Sequence, residues 1–292
     1  MSLQLPLLLC AALHAAALMA WFGTLLRQRA LGLPEHSRQM LALRLAGGTA
    51  LASAACWPFL LTGSAMDDPG AALDPRQLAL VLGQTSFGQV CVARTLLVAV
   101  AASRLPTRRA GEASTLLPVG AALASIGFLG HAAGVAGIAG LGQRLVLAAH
   151  LLAAGAWLGL LPWLWLAARG VTARALARAL RRFSRLGVWL VAVVVVSGCL
   201  NSWWRLGGVA PLWSSGYGQI VLLKVALVLL MGVCALCNRN VFTPAVERLE
   251  AEEPAAAGKA LRGLRWSLAL ETLLGAAVLV AAFFLGSAEA PS

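Results

Sequence analysis

The stretch Gly142–Ala168, GQRLVLAAHLLAAGAWLGLLPWLWLAA, decides the fold class. After Arg144 it carries no formal charge, only the lone His150. About 20 apolar residues suffice for a helix to cross the hydrocarbon core of a bilayer. The same texture recurs along the chain. It predicts an all-α, polytopic membrane bundle of about eight transmembrane helices, at Leu3–Leu26, Met40–Thr62, Phe87–Ser103, Ser114–Gly134, Gly142–Ala168, Phe183–Trp203, Tyr217–Asn238 and Arg265–Gly286. Leu78–Leu82 is a shorter apolar stretch that either extends the third helix or forms a surface-lying turn.

Composition agrees. The chain has 292 residues, 60% hydrophobic and 12% charged, with a net charge of +12. A soluble domain carries about 25% charged residues, so a cytosolic enzyme, a disordered chain and a disulfide-stapled secreted domain are all excluded. The arginines flank apolar runs without the interleaved aromatics that grip a nucleic acid strand. The partner they indicate is membrane lipid. No Lys or Arg precedes the first apolar run, while Arg27 and Arg29 follow it. That reads as a retained helix, not a cleaved signal. Five cysteines fall inside apolar runs, where a thiol acts as a small hydrophobe. Cys234-x-x-Cys237 has redox or zinc spacing but no second pair.

The loops alternate in charge. The first, third and fifth carry clusters of arginine, the fifth from Arg169 to Arg185; the second carries Asp67, Asp68 and Asp74. The positive-inside rule places the basic loops in the cytoplasm and both termini outside.

The chain also resembles itself. His14-x6-Trp21-Phe-Gly23 is matched by His150-x6-Trp157-Leu-Gly159, and Phe87-Gly-Gln-Val90 with Arg94 by Tyr217-Gly-Gln-Ile220 with Lys224. Thr62-Gly63 pairs with Ser197-Gly198, each expected to end a second helix, and Phe128-Leu-Gly130 echoes Phe284-Leu-Gly286. The common order predicts two parallel four-helix repeats, residues 1–140 and 141–292.

Ionisable residues within a span cost about 2.5–3.5 kcal/mol each on insertion scales. The set is His14, His150, Arg94, Lys224 and Glu271, with His131 near an outer end. Neutral imidazole ligates copper, zinc and haem iron. His14 and His150, at matching positions, are the leading metal ligands, and His131 joins them from the same side. Cys10 shares a helical face with His14 and is a secondary candidate, as are Met66 and Asp67 in the acidic loop. Trp21 and Trp157 either line a path or pack, and Gly23 and Gly159 allow close helix approach. Arg94 and Lys224 either bind an anion or hold a helix in place. Glu271 either pairs with a base such as Arg185 or relays protons. There is no P-loop, nucleophile elbow or His-Glu-x-x-His motif, so the chain is read as no enzyme.

Gly130-His131-Ala132-Ala133 followed by His150-x6-Trp157-Leu-Gly159 resembles the signature of the copper resistance protein D (CopD) family. Arg182-Phe-Ser-Arg185, Gly198, Tyr217-Gly218 with Lys224, and Asn238-Arg-Asn240 with Pro244 resemble its second half. The resemblance implies a bacterial inner-membrane protein of about eight spans that imports or delivers copper ion beside a periplasmic CopC-like copper-binding partner. Two other readings use the same residues: a b-type cytochrome with haem held by paired histidines, or a non-transporting scaffold for respiratory-oxidase assembly.

Overall fold

A computed structural model describes residues 3–105, 113–129, 137–248 and 254–287. Among them the chain is helical and contains no strand. Lipid offers no partner for backbone N–H and C=O groups, and a helix satisfies them within itself. The elements are α1 Gln4–Leu31, α2 Gln39–Ala65, α3 Pro75–Gln84, α4 Ser86–Ala102, α5 Ala113–Ser125, α6 Gly137–Gly170, α7 Ala173–Leu206, α8 Pro211–Ser214, α9 Gly216–Cys237, α10 Thr243–Arg248 and α11 Pro254–Ser287.

Six helices among the described residues are long and apolar enough to span a membrane: Gln4–Leu31, Gln39–Ala65, Gly137–Gly170, Ala173–Leu206, Gly216–Arg248 and Gly258–Leu285. The expected third span, Phe87–Ser103, falls on α4 to within one residue at each end, but α4 is shorter than those six. α4 has 17 residues, about 26 Å of helix, and α3 meets it at 96°. The apolar stretch at 78–82 therefore turns aside and does not prolong α4. The expected fourth span is described as the 13-residue α5, which contains Pro118, and a 3-10 turn at Ile126–Phe128. Its remainder, from Gly130, lies outside the described residues.

A second correction concerns the fifth loop. The arginines from Arg174 to Arg185 are helical, because α7 begins at Ala173, ten residues before the expected span. Leu176, Ala177, Ala179, Leu180 and Phe183 form the buried face of this segment. Thr172 caps it, its hydroxyl accepting from the Ala175 N–H at 3.3 Å.

α1 and α6 form the centre; α2 and α5 pack on α1 with α4 against α2 and α5, and α7 and α11 pack on α6 with α9 against α11. The two central helices cross backbone to backbone. A Cβ on Gly23 would stand 2.3 Å from the Gly159 Cα, and one on Gly159 would stand 2.6 Å from the Met19 carbonyl oxygen. α1 ends at Gly32, whose φ of 65° is the left-handed cap. The Arg182 guanidinium packs where its Cβ would be.

Two turns are built alike. The Thr85 hydroxyl accepts from the Gly88 N–H at 2.9 Å, and the Ser215 hydroxyl from the Gly218 N–H at 3.0 Å. A Cβ on Gly88 would meet the Val81 carbonyl oxygen at 2.2 Å; one on Gly218 would meet that of Pro211 at the same distance.

Candidate metal site

α1 and α2 bring together the first set of polar residues. His14 is fully buried. Its Nδ1 lies 2.9 Å from the Ser53 hydroxyl. That hydroxyl has one proton, and it lies 2.7 Å from the Thr49 carbonyl oxygen four residues earlier. With the serine proton donated to the backbone, Nδ1 of His14 supplies the proton to the serine, and Nε2 keeps its lone pair. Nε2 is buried and has no partner. The Cys10 thiol donates to the Ser53 carbonyl at 3.3 Å. Trp57, one turn along α2 from Ser53, packs edge-on to the His14 ring at 5.3 Å between centroids.

α6 and α7 repeat the arrangement. His150 Nδ1 lies 2.9 Å from the Ser197 hydroxyl, which donates to the Val193 carbonyl, again four residues earlier. Gly198 leaves room beside this imidazole: a Cβ there would stand 3.6 Å from Cε1. The serines correct the expected pairing of Thr62-Gly63 with Ser197-Gly198. Ser53 is the residue that stands to His14 as Ser197 stands to His150. Ser197 also lies nine residues before the end of α7, so it does not terminate that helix. The Thr62 hydroxyl is buried without a partner.

Arg94 and Lys224 lie on α4 and α9 within electrostatic reach of His14 and His150 respectively. Arg94 is buried and sits over the Trp57 ring; Lys224 is half-buried.

Glu271 is fully buried on α11. It pairs with no base. Its Oε1 accepts from the Trp157 indole at 3.0 Å and its Oε2 from the Asn238 amide at 3.0 Å. The expected Arg185 partner lies elsewhere, in a groove with Arg181, Arg239, Pro244 and Glu247. Asn238 opens a π turn, Asn238–Phe242, and its carbonyl accepts from the Thr243 hydroxyl at 2.7 Å. Trp157 is thus a polar anchor, whereas Trp21 is buried with its indole N–H unpartnered. Replacing Glu271 with leucine strands two buried donors, each costing about 1–3 kcal/mol. Thermal unfolding in detergent is expected to fall well below that of the native protein, and less so in Glu271→Gln, which keeps one acceptor.

Sequence reasoning missed Ser53, the burial of Arg27, and the contact of Asn238 with Glu271. Arg27 was expected in a loop but is a buried residue of α1. It donates to the Pro34 carbonyl at 2.5 Å and to Gln39, folding the α1–α2 connection back onto the helix.

The described residues contain no group of three His, Cys, Asp or Glu side chains placed to hold a metal. Met66 caps the end of α2 and Asp67 follows it with a φ of 51°. His131 lies outside the described residues. All six cysteines are free thiols, Cys234 and Cys237 included.

The profile of the Copper resistance protein D family matches residues 177–285, and that of the Copper resistance protein D-like N-terminal domain matches residues 2–141. The chain is 39% identical over 145 residues to Inner membrane protein YebZ of Escherichia coli (strain K12), covering 49% of this chain and 47% of that protein. It is 34% identical over 212 residues to Copper resistance protein D of Pseudomonas syringae pv. tomato, covering 69% and 67%. The chain thus spans about half the length of the first relative and two thirds of the second. No solved structure matches it. The apolar helices and these relatives identify a multi-pass inner-membrane protein of a copper resistance family. The chain belongs to the copper resistance protein D family.

Proposed function

We propose that this protein moves copper ion into or across the bacterial inner membrane, with His14 and His150 as its ligands and His131 at the outer entrance. The observation that carries the reading is the duplicated His–Ser pair. A ligating imidazole is usually held by a hydrogen bond from its other ring nitrogen, and here a serine fixes each Nδ1. Both histidines stand nine residues before the glycine at which α1 and α6 cross. This supports a copper path beside the junction of the two helices.

The same symmetry supports two four-helix repeats, 1–140 and 141–292, with α4 and α5 as the third and fourth of eight spans and both termini outside. The matching Gly88 and Gly218 turns favour that division. Copper then arrives from the periplasmic side, where a CopC-like copper-binding protein is the fitting donor. Cys10, bonded to the Ser53 carbonyl, lies one turn from His14 and supplies a soft ligand suited to Cu(I).

The test is elemental analysis of protein purified from copper-supplemented cells, reading copper and iron together. Near-stoichiometric copper is the expected result. Iron in its place assigns a b-type haem protein, and neither metal assigns a scaffold. Removing both serine hydroxyls, Ser53→Ala with Ser197→Ala, is expected to weaken copper affinity by about 10–100-fold, the usual effect of losing a supporting hydrogen bond. Threonine at both positions restores the hydroxyls and the affinity.

A further inference from the structure

The histidine reading leaves several buried polar atoms over, and they are gathered around Trp57. Arg94 is 1% exposed. Its guanidinium carbon lies 4.0 Å from the Trp57 ring centroid. The ring covers the face of the cation, but the N–H groups lie in the guanidinium plane, and neither Nη1 nor Nη2 has a partner. The Trp57 indole N–H and His14 Nε2 are also buried and unpartnered.

The surroundings are apolar. Trp57 and Cys91 belong to one cluster with Leu61, Val81 and Leu129. The Cys91 thiol is a hydrogen-bond partner of the Arg94 side chain, and the Cys10 thiol and His14 act on it electrostatically. None is a carboxylate, and a thiol is a weak acceptor. An arginine cannot shed its proton in a protein. A desolvated cation–π contact offsets only part of the cost of a charge held in the membrane. The Nη1 and Nη2 donors and the net positive charge therefore remain unanswered.

We propose that Arg94, with the Trp57 indole N–H, binds a small monovalent halide-type anion, chloride in the cell, beside His14. A single unopposed positive charge calls for a single negative one. A compact anion accepts from such donors without needing acceptors of its own, which the apolar walls do not provide. Chloride is also a good ligand for soft Cu(I). A chloride at Arg94 then serves as co-ligand to copper on His14 Nε2, and it offsets the repulsion between the metal and the guanidinium. Lys224 holds the corresponding position near His150, but it is half-buried and no ring covers it, so the site belongs to the first half only. The four atoms are sealed from solvent, and exchange requires the ends of α1, α2 and α4 to part.

The anion part stands without copper; the co-ligand part rests on the copper reading. The first experiment is equilibrium dialysis of labelled chloride against the metal-free, full-length protein in detergent, with gluconate as the replacing anion and long equilibration. The native protein is expected to bind about one chloride, and Arg94→Gln to lose at least about tenfold in affinity, as expected when a charge-assisted bond is removed. Trp57→Phe keeps the ring and removes one donor, so it loses affinity by a smaller factor. It serves if Arg94→Gln fails to fold. No chloride bound by the native protein, or equal binding in native and variant, overturns the proposal. The second experiment is Cu(I) competition against a chromophoric chelator in chloride and in gluconate. Copper held at least about tenfold more tightly in chloride, with no such dependence in Arg94→Gln, supports the co-ligand. Copper bound equally in both anions overturns it. Chloride bound with no copper in either anion refutes the copper reading and leaves the anion site standing.

Discussion

Protein in which His14 and His150 are both alanine is expected to be purified with under about one-tenth of the copper of the native chain, since a soft metal held by few ligands does not survive their removal. Elemental analysis reads this directly. The single variants should be unequal. His14 is fully enclosed, its Nε2 has no competing partner, and the Cys10 thiol lies one turn away. His150 is half-buried beside Gly198. His14→Ala is therefore expected to remove more copper than His150→Ala. Both variants should still fold, because Ser53 and Ser197 each retain a bond to a carbonyl of their own helix. A thermal profile checks that point. Copper at the native level in the double variant refutes the ligand assignment.

The second large effect is on folding. Gly23→Ala places a methyl group 2.3 Å from the Gly159 Cα, and Gly159→Ala places one 2.6 Å from the Met19 carbonyl oxygen. The obstacles are backbone atoms, which cannot change rotamer. Overpacking against side chains costs about 1–3 kcal/mol, and a backbone obstacle lies at or above the top of that range. Both variants should lose the monodisperse peak on size exclusion at temperatures the native protein tolerates, and the valine variants should fail to accumulate. Gly48→Ala and Gly187→Ala are the controls. A Cβ at either position meets nothing within 4 Å, so their profiles should match the native one. Native-like behaviour of Gly23→Ala would mean that α1 and α6 do not cross there.

The membrane class was legible because run length and charge are local properties. Stretches such as 142–168 announce a span without reference to any other part of the chain. The arginine-rich segment from Ala173 to Arg185 was misread because a charged face was taken for a loop. Its arginines at 174, 178, 181, 182 and 185 follow helical spacing, with Leu176, Leu180 and Phe183 on the buried side. The histidines were legible through repetition. Their serines were not, because the two histidines are 136 residues apart and the two serines 144. Connections of different length shift the register, so an offset close to that of the histidines leads to Thr62, 135 residues before Ser197, instead of Ser53. Glu271 was visible as a costly charge in an apolar run. Its partners come from 114 and 33 residues away in sequence, and both are neutral donors, which charge pairing does not reveal. Gly32 and Arg182 were out of reach for the same reason: their contact depends on α1 and α7 meeting at one end.

The glycine crossing also has a mechanical consequence. Two helices touching through bare backbone have no side chains between them at that point, so it is the natural fulcrum for any tilt of one against the other. Each histidine lies nine residues from its glycine, a lever arm of about 13 Å at helical rise. Tilting one half against the other by about 10° carries an imidazole through about 2 Å, which is comparable to the length of a metal–nitrogen bond.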